Sequence, residues 1–331
     1  MIHTARSRMI IITTFVITIL AAVIAIGLGS VHISIPDILS TLINGRGQEG
    51  VYNTTIIWDI RLPRVLLALI IGASIAISGA LLQAVMGNPL ADPGLTGVTS
   101  GAAAFVLLIL LANPELTHLI PIAAFVGGLI AAAIVYALAW RRTGITPITI
   151  ILSGVAVNAL CGGVIGFLSI LYSDRLPSAV QWMNGSLAAK GNASLHMIYL
   201  YAIIGWILSI FAIRKANIIR LGDQVATNLG ESVTRIRIML SILAVFLAAI
   251  SVAAVGMISF VGLIVPHMAR LLVGSDYKYM LPMSMALGAI VLLVADTGGR
   301  TIFAPLDIPA GILMAVIGGP YFLYLMRKRA F

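Results

Sequence analysis

Apolar runs of membrane-spanning length, separated by short polar or basic stretches, fill most of this chain. An α-helix rises about 1.5 Å per residue, so about 20 apolar residues cross a hydrocarbon core about 30 Å thick. The pattern predicts ten such helices: Met9–Leu28, Val65–Val85, Val98–Leu111, Leu119–Ala139, Pro147–Leu171, Ser194–Ile213, Ile238–Val255, Ile258–Val273, Tyr279–Ala295 and Ala310–Met326. The first run follows His3, Arg6 and Arg8 and exceeds the about 7–15 apolar residues of a signal peptide, so it reads as an uncleaved helix. Residues 31–60 are more polar and carry the turn signal Asn44-Gly45, which predicts a loop with one short amphipathic helix. A short surface helix is expected at Pro177–Leu187, a break of the eighth helix at Pro266, and a loop over Asp296–Pro309.

Within Val65–Val85 the small residues form two stripes: Gly72, Ala76 and Ala80 on one, Ser74 and Ser78 on the other. Helices in lipid use small residues to approach closely, because burying apolar surface gives them no advantage over lipid. Shifting Ala68–Ala91 by 177 positions lays it on Val245–Met268 and matches Ser74 to Ser251, Ala76 to Ala253, Gly79 to Gly256 and Pro89 to Pro266. That match predicts inverted-repeat-like halves in which the second and seventh helices run in opposite directions.

Composition makes this a polytopic all-α membrane protein and excludes most soluble classes. Hydrophobic residues make up 60% and charged residues 9%, against about 25% charged in soluble domains; the mean hydropathy is +1.11. The net charge of +9 suits nucleic acid only if clustered on a soluble face, and here the basic residues punctuate apolar runs. With both termini cytoplasmic, 14 of the 20 Lys and Arg fall inside, including Arg6, Arg8, Arg141, Arg142, Arg214, Arg237 and Arg327, and 6 outside: Arg46, Arg61, Arg64, Arg175, Lys190 and Arg300. The positive-inside rule favours that orientation, in a cytoplasmic (inner) membrane. Residues 1–331 read as one transmembrane unit, with 214–237 as its longest cytoplasmic segment. The lone Cys161 supports neither an internal disulfide nor a cysteine metal cluster.

In the cytoplasmic segment, Leu221, Val225 and Leu229 fall four apart and form one apolar stripe. Asp223 suits the start of that helix and Gly230 its stop. Such a helix either packs on its own protein or lies in the groove of a soluble partner. No P-loop is present, because Lys190, Lys215, Lys278 and Lys328 follow Ala, Arg, Tyr and Arg rather than Gly. The helix interiors lack a carboxylate chain of the kind ion-coupled transporters use. The chain is therefore not read as an enzyme, and its energy source lies elsewhere.

Arg61-Leu-Pro-Arg64, Ser78-Gly-Ala-Leu-Leu-Gln83 and Asn88-Pro-Leu-Ala-Asp-Pro-Gly94 resemble the signature of FecCD-type permeases. The resemblance continues through Leu152-Ser-Gly-Val155, Leu221-Gly-Asp223, Gly262-Leu-Ile-Val-Pro-His267, Leu293-Val-Ala-Asp296 and Gly318-Gly-Pro-Tyr-Phe322. Those are membrane subunits of ATP-binding-cassette importers for iron–siderophores, haem and cobalamin. The resemblance implies ten helices, a second permease subunit, two cytoplasmic ATPases that hold Mg-ATP, and an external substrate-binding protein. It implies no cofactor or metal on this chain.

The resemblance also assigns residues. Leu221, Gly222, Asp223, Val225, Leu229 and Gly230 would couple to the ATPase, and Asn88, Leu90, Pro147 and Ile148 would form a cytoplasmic gate. Asn88 also fits a plain turn before proline. Ser153, Gly154, Asn158, Gly162, Gly163 and Gly166 give the fifth helix a small, mildly polar face suited to a translocation path, or to ordinary helix packing. His267 invites a haem-ligand reading, although its stretch also occurs in carriers of other cargo. Arg61, Arg64 and Arg300 would dock the external binding protein through its acidic residues; headgroup anchoring is the plain alternative for the first two. A secondary transporter or channel without an ATPase is the competing functional class.

Overall fold

A computed structural model describes residues 2–29, 33–45, 54–142 and 144–329; the expected outside residue Arg46 lies outside them. The described backbone is helical, with no strands. The helices, in chain order, are α1 (Ile2–Gly27), α2 (Ile35–Asn44), α3 (Leu62–Met86), α4 (Val98–Leu107), α5 (Ile120–Ala139), α6 (Pro147–Leu171), α7 (Leu176–Met183), α8 (Asn192–Arg220), α9 (Asp223–Asn228), α10 (Val233–Val255), α11 (Val261–Val273), α12 (Tyr277–Thr301) and α13 (Ala310–Arg329). Among the described residues seven helical stretches are long and apolar enough to cross a membrane, and three shorter apolar helices accompany them at Val98–Ala112, Val261–Val273 and Ala310–Tyr324. This is a multi-pass membrane protein.

Helix α3 is the axis of the molecule. It follows a π-turn at Ile56–Arg61, ends on Gly87 in the left-handed region (φ 57°), and is buried over nearly its whole length. Its two small-residue stripes serve different neighbours. Gly72 meets Gly288 of α12 so closely that a Cβ on either glycine would collide with the other's backbone, and Ala76 presses on Gly288. Ser78 donates to the carbonyl of Ala244 on α10 at 2.6 Å, and Ser74 accepts from Trp206 of α8 at 3.1 Å. The stripes therefore give backbone approach on one face and interhelical hydrogen bonds on the other.

Helices α3 and α10 run antiparallel, since Ser78 lies beside Ala244 while Val85 lies beside Arg237. That is the direction the repeat requires. Its residue correspondences do not carry over into local structure: Gly79 is mid-helix against Gly262, whereas Gly256 ends α10 with φ 79°.

Four boundaries depart from the sequence expectation. Pro266 lies inside α11 without breaking it. A proline removes the bond that the carbonyl four residues earlier would accept, and here Gln83 reaches across, its amide nitrogen 3.5 Å from the Gly262 oxygen and 3.2 Å from that of Leu263. Helix α8 continues seven residues past Ile213 to Arg220, α12 continues past Ala295 to Thr301, and α10 starts at Val233. Asp296 and Arg300 thus belong to the last turns of α12 and not to the loop. The short helices α2 and α7 appear where amphipathic segments were expected.

Candidate functional site

Two polar clusters lie at opposite ends of α3, which at about 1.5 Å per residue separates them by more than 30 Å. The first contains Arg61, Arg64 and Arg300, the residues expected to dock an external partner, and each is engaged within the fold. Arg61 is 4% exposed, and its Nη1 donates to the carbonyls of Ile26 at 2.7 Å and Gly27 at 3.0 Å. Arg300 Nη2 donates to the Ala25 carbonyl at 2.7 Å. The last carbonyls of a helix have no partner within it and carry partial negative charge, so two guanidinium groups cap α1.

Arg64 is held by carboxylates instead. Its Nε and Nη2 donate to Asp296 at 2.9–3.1 Å, and Nη1 and Nη2 donate to Asp307 at 2.8 and 2.9 Å. The Arg64 and Arg300 side chains are only 12% and 9% exposed, and Asp296 is 1% exposed. A charge removed from water must be paired, and here the pairing is internal. Asp307, outside the motifs, gave no periodic signal in the sequence.

The second cluster surrounds the coupling segment. Gly222 (φ 100°) and Gly230 (φ 77°) flank α9, and a Cβ at either would meet nothing within 4 Å. Leu221, Val225 and Leu229 are 54%, 43% and 59% exposed, so the apolar stripe faces outward. Asp223 opens the helix, yet its carboxylate accepts from Arg237 of α10 at 2.9 and 3.0 Å rather than capping α9. Lys215 donates to Glu231 at 2.6 and 2.7 Å and, with the fields of Arg214 and Arg235, holds that carboxyl below its usual range.

The two expected gate elements come to this same end. In the turn after α3, Asn88 is exposed and its Oδ1 accepts from Leu90 N at 2.9 Å, an Asx turn. Leu90 is half-buried. Pro147 stands in the first turn of α6 behind a Thr146–Thr149 capping box, and Ile148 is exposed. Arg237 touches both flanks, donating to Ile145 O at 2.9 Å and approaching Val85 O at 3.4 Å. Burial pushes the Asp92 carboxyl up, against a hydrogen bond from Gly94 N that favours its charge.

The small face of α6 divides in two. Gly154 lies against the carbonyl of Leu95, where a Cβ would overlap it. Asn158 donates to Gly94 O at 3.1 Å and accepts from the Ser100 hydroxyl. These two residues fasten the 93–100 segment to α6, and the half-buried Asn158 makes both of these bonds within the fold. Gly162, Gly163 and Gly166 have open space where a Cβ would stand, and Ser153 is half-buried. His267 is buried (3% exposed) within α11. Among the described residues no group of three or more His, Cys, Asp or Glu could hold a metal ion.

The description of the FecCD transport family matches residues 17–328. The chain belongs to the FecCD transport family. It is 39% identical over 326 residues to the Fe(3+)-citrate import system permease protein YfmE of Bacillus subtilis, covering 98% of this chain and 96% of that one. It is 38% identical to the iron(3+)-hydroxamate import system permease protein FhuG of the same organism, covering 98% of each. A solved structure of a metal-chelate type ABC transporter in an inward-facing conformation superposes with a TM-score of 0.87 at 29% identity, over 97% of this chain and 99% of that one.

Proposed function

We propose that this chain is the membrane permease of an ATP-binding-cassette importer that moves an iron chelate, of the siderophore or haem kind, or cobalamin into the cytoplasm. The observation that carries the coupling role is the outward-facing stripe of Leu221, Val225 and Leu229, on and immediately either side of the six-residue α9. Outside the bilayer an exposed apolar stripe is costly unless a partner covers it, and a short helix set into a groove is a standard mode of recognition. The partner that supplies that groove is a separate ATPase, which binds Mg-ATP; the sequence of this chain carries no P-loop.

The proposed topology has ten spans, the three shorter apolar helices included, with both termini cytoplasmic. A second permease subunit completes the path, with Gly162, Gly163 and Gly166 of α6 facing it and the Asn88–Leu90 turn and the Pro147–Ile148 end of α6 as its cytoplasmic gate. An external binding protein docks at the opposite end. Arg61 and Arg300 are committed to α1, so docking falls on Arg64 and the more exposed Asp307. Their fixed charges would orient the partner.

The test is co-purification. Wild-type protein should bring down a soluble P-loop ATPase from its own operon's products, and Val225→Asp with Leu229→Asp should lose it while membrane insertion persists. A transporter that takes up chelate without any ATPase would refute the reading.

A further inference from the structure

Arg237 stands one turn into α10, 6% exposed. A guanidinium keeps its charge inside proteins and presents donors in a rigid planar fork, so burial obliges the fold to supply acceptors in matching positions. They come from three segments that are distant in sequence: the carboxylate of Asp223 on α9, the carbonyl of Ile145 just before α6, and the carbonyl of Val85 in the last turn of α3. The two carbonyls are buried with their residues, whereas the Asp223 side chain is 54% exposed. One end of the fork is therefore held by the two helix ends and the other by a helix at the surface.

We propose that Arg237 is the positioning residue that transmits a displacement of α9 to the end of α3 and the start of α6 together. The inference rests on the proposed function, in which a partner subunit moves α9. The glycines at 222 and 230, both at positive φ with open space around them, let α9 pivot as a unit. A planar fork bonded on both sides cannot follow Asp223 without drawing on the carbonyls of Ile145 and Val85, or leaving buried donors without acceptors. The turn at 87–92 and the first turn of α6 begin two residues beyond those carbonyls, so each is drawn by its own donor, Nε for Val85 and Nη1 for Ile145, and their separation changes. A lysine in this place would offer a compact point charge that rotates and could satisfy fewer of the three acceptors at once.

The experiment uses the assembled transporter in lipid vesicles, with Cys161→Ala removing the native thiol and spin labels on Asn88→Cys and Ile148→Cys. The distance between the labels is read with and without ATP and vanadate. Arg237→Met keeps the unbranched apolar stem of the side chain and removes the guanidinium. It should assemble with the ATPase and hydrolyse ATP, yet lose the ATP-driven shift in at least about nine of ten complexes, within the range of measured couplings between sites. Arg237→Lys should retain a partial shift. A purely structural role would lower the yield of folded protein without separating hydrolysis from the shift. If Arg237→Met does not fold, Arg237→Lys carries the test, and a full wild-type shift in it overturns the inference. A full shift in a folded Arg237→Met does the same. A wild-type transporter whose 88–148 distance ignores ATP refutes the proposed function itself, and this inference with it.

Discussion

Removing the carboxylate of Asp296 tests whether the arginine cluster is an internal brace. Asp296 is 1% exposed, accepts three hydrogen bonds from Arg64 at 2.9–3.1 Å, and lies 3.8 Å from Nε of Arg300. Deleting one partner of a buried ion pair costs about 3–5 kcal/mol, because the other charge stays buried without a counter-ion. In Asp296→Ala, Asp307 still accepts from Nη1 and Nη2 of Arg64, and only Nε is left without an acceptor. That places the expected loss near the lower bound, about 3 kcal/mol. Asp307→Ala leaves the Asp296 fork intact and removes a carboxylate that is 37% exposed, so its cost should stay at about 1 kcal/mol or less. The assay is thermal unfolding of the purified protein in one mild detergent, followed by intrinsic tryptophan fluorescence. An Asp307→Ala loss equal to or larger than that of Asp296→Ala would refute the brace. The result also governs any charge-reversal test of docking, since Arg64→Glu would set two carboxylates against a third and abolish uptake by unfolding.

Further outcomes follow from other parts of the molecule. Gly288→Val should destabilise by at least about 1–3 kcal/mol, the cost of overpacking, because the obstruction is the Gly72 backbone; Gly162→Val, placed in open space, should leave the melting temperature unchanged. Equal effects of the two would show that α3 and α12 are not in close contact. The purified chain should hydrolyse no ATP alone and acquire hydrolysis only when a separate ATPase is added. Glu231, with its pKa lowered by Lys215, stabilises the folded segment above its ordinary value of about 4.5 and loses that contribution as pH falls through its lowered value. Proteolytic cleavage between residues 221 and 232 should therefore accelerate below about pH 4.5 in wild type, and Glu231→Gln should cleave at the faster rate already at neutral pH.

The class, the helices and most of the site's location are legible in the sequence because each depends on local chemistry. Span length is set by bilayer thickness, so the apolar runs mark α5 and α6 to within one residue of their observed ends. The stripe of Leu221, Val225 and Leu229 needs only helical periodicity to be seen. The small-residue stripes of α3 announce close packing, although not that one would meet α12 and the other α8 and α10.

What the sequence could not determine is where polar side chains find their partners. Arg61 reaches back 35 residues to α1, Arg300 reaches 275, and Arg64 pairs with carboxylates 232 and 243 residues away. Read locally, three arginines at one end of a bundle are an exposed positive patch; folded, they are helix caps and a buried ion network. Asn158 reads as a polar residue on a small face, and only the fold brings the carbonyl of Gly94 within 3.1 Å of it. Pro266 reads as a helix break until Gln83 bridges to the freed carbonyl of Gly262, 179 residues further along the chain. Arg237 was legible only as one positive charge among those expected inside. Hydrophobic periodicity acts through neighbours along the chain, whereas a buried polar group must be satisfied by whatever the tertiary fold brings beside it. The sequence therefore determined which segments are long and apolar enough to cross, and the tertiary structure alone decided which of their charges remain available to a partner.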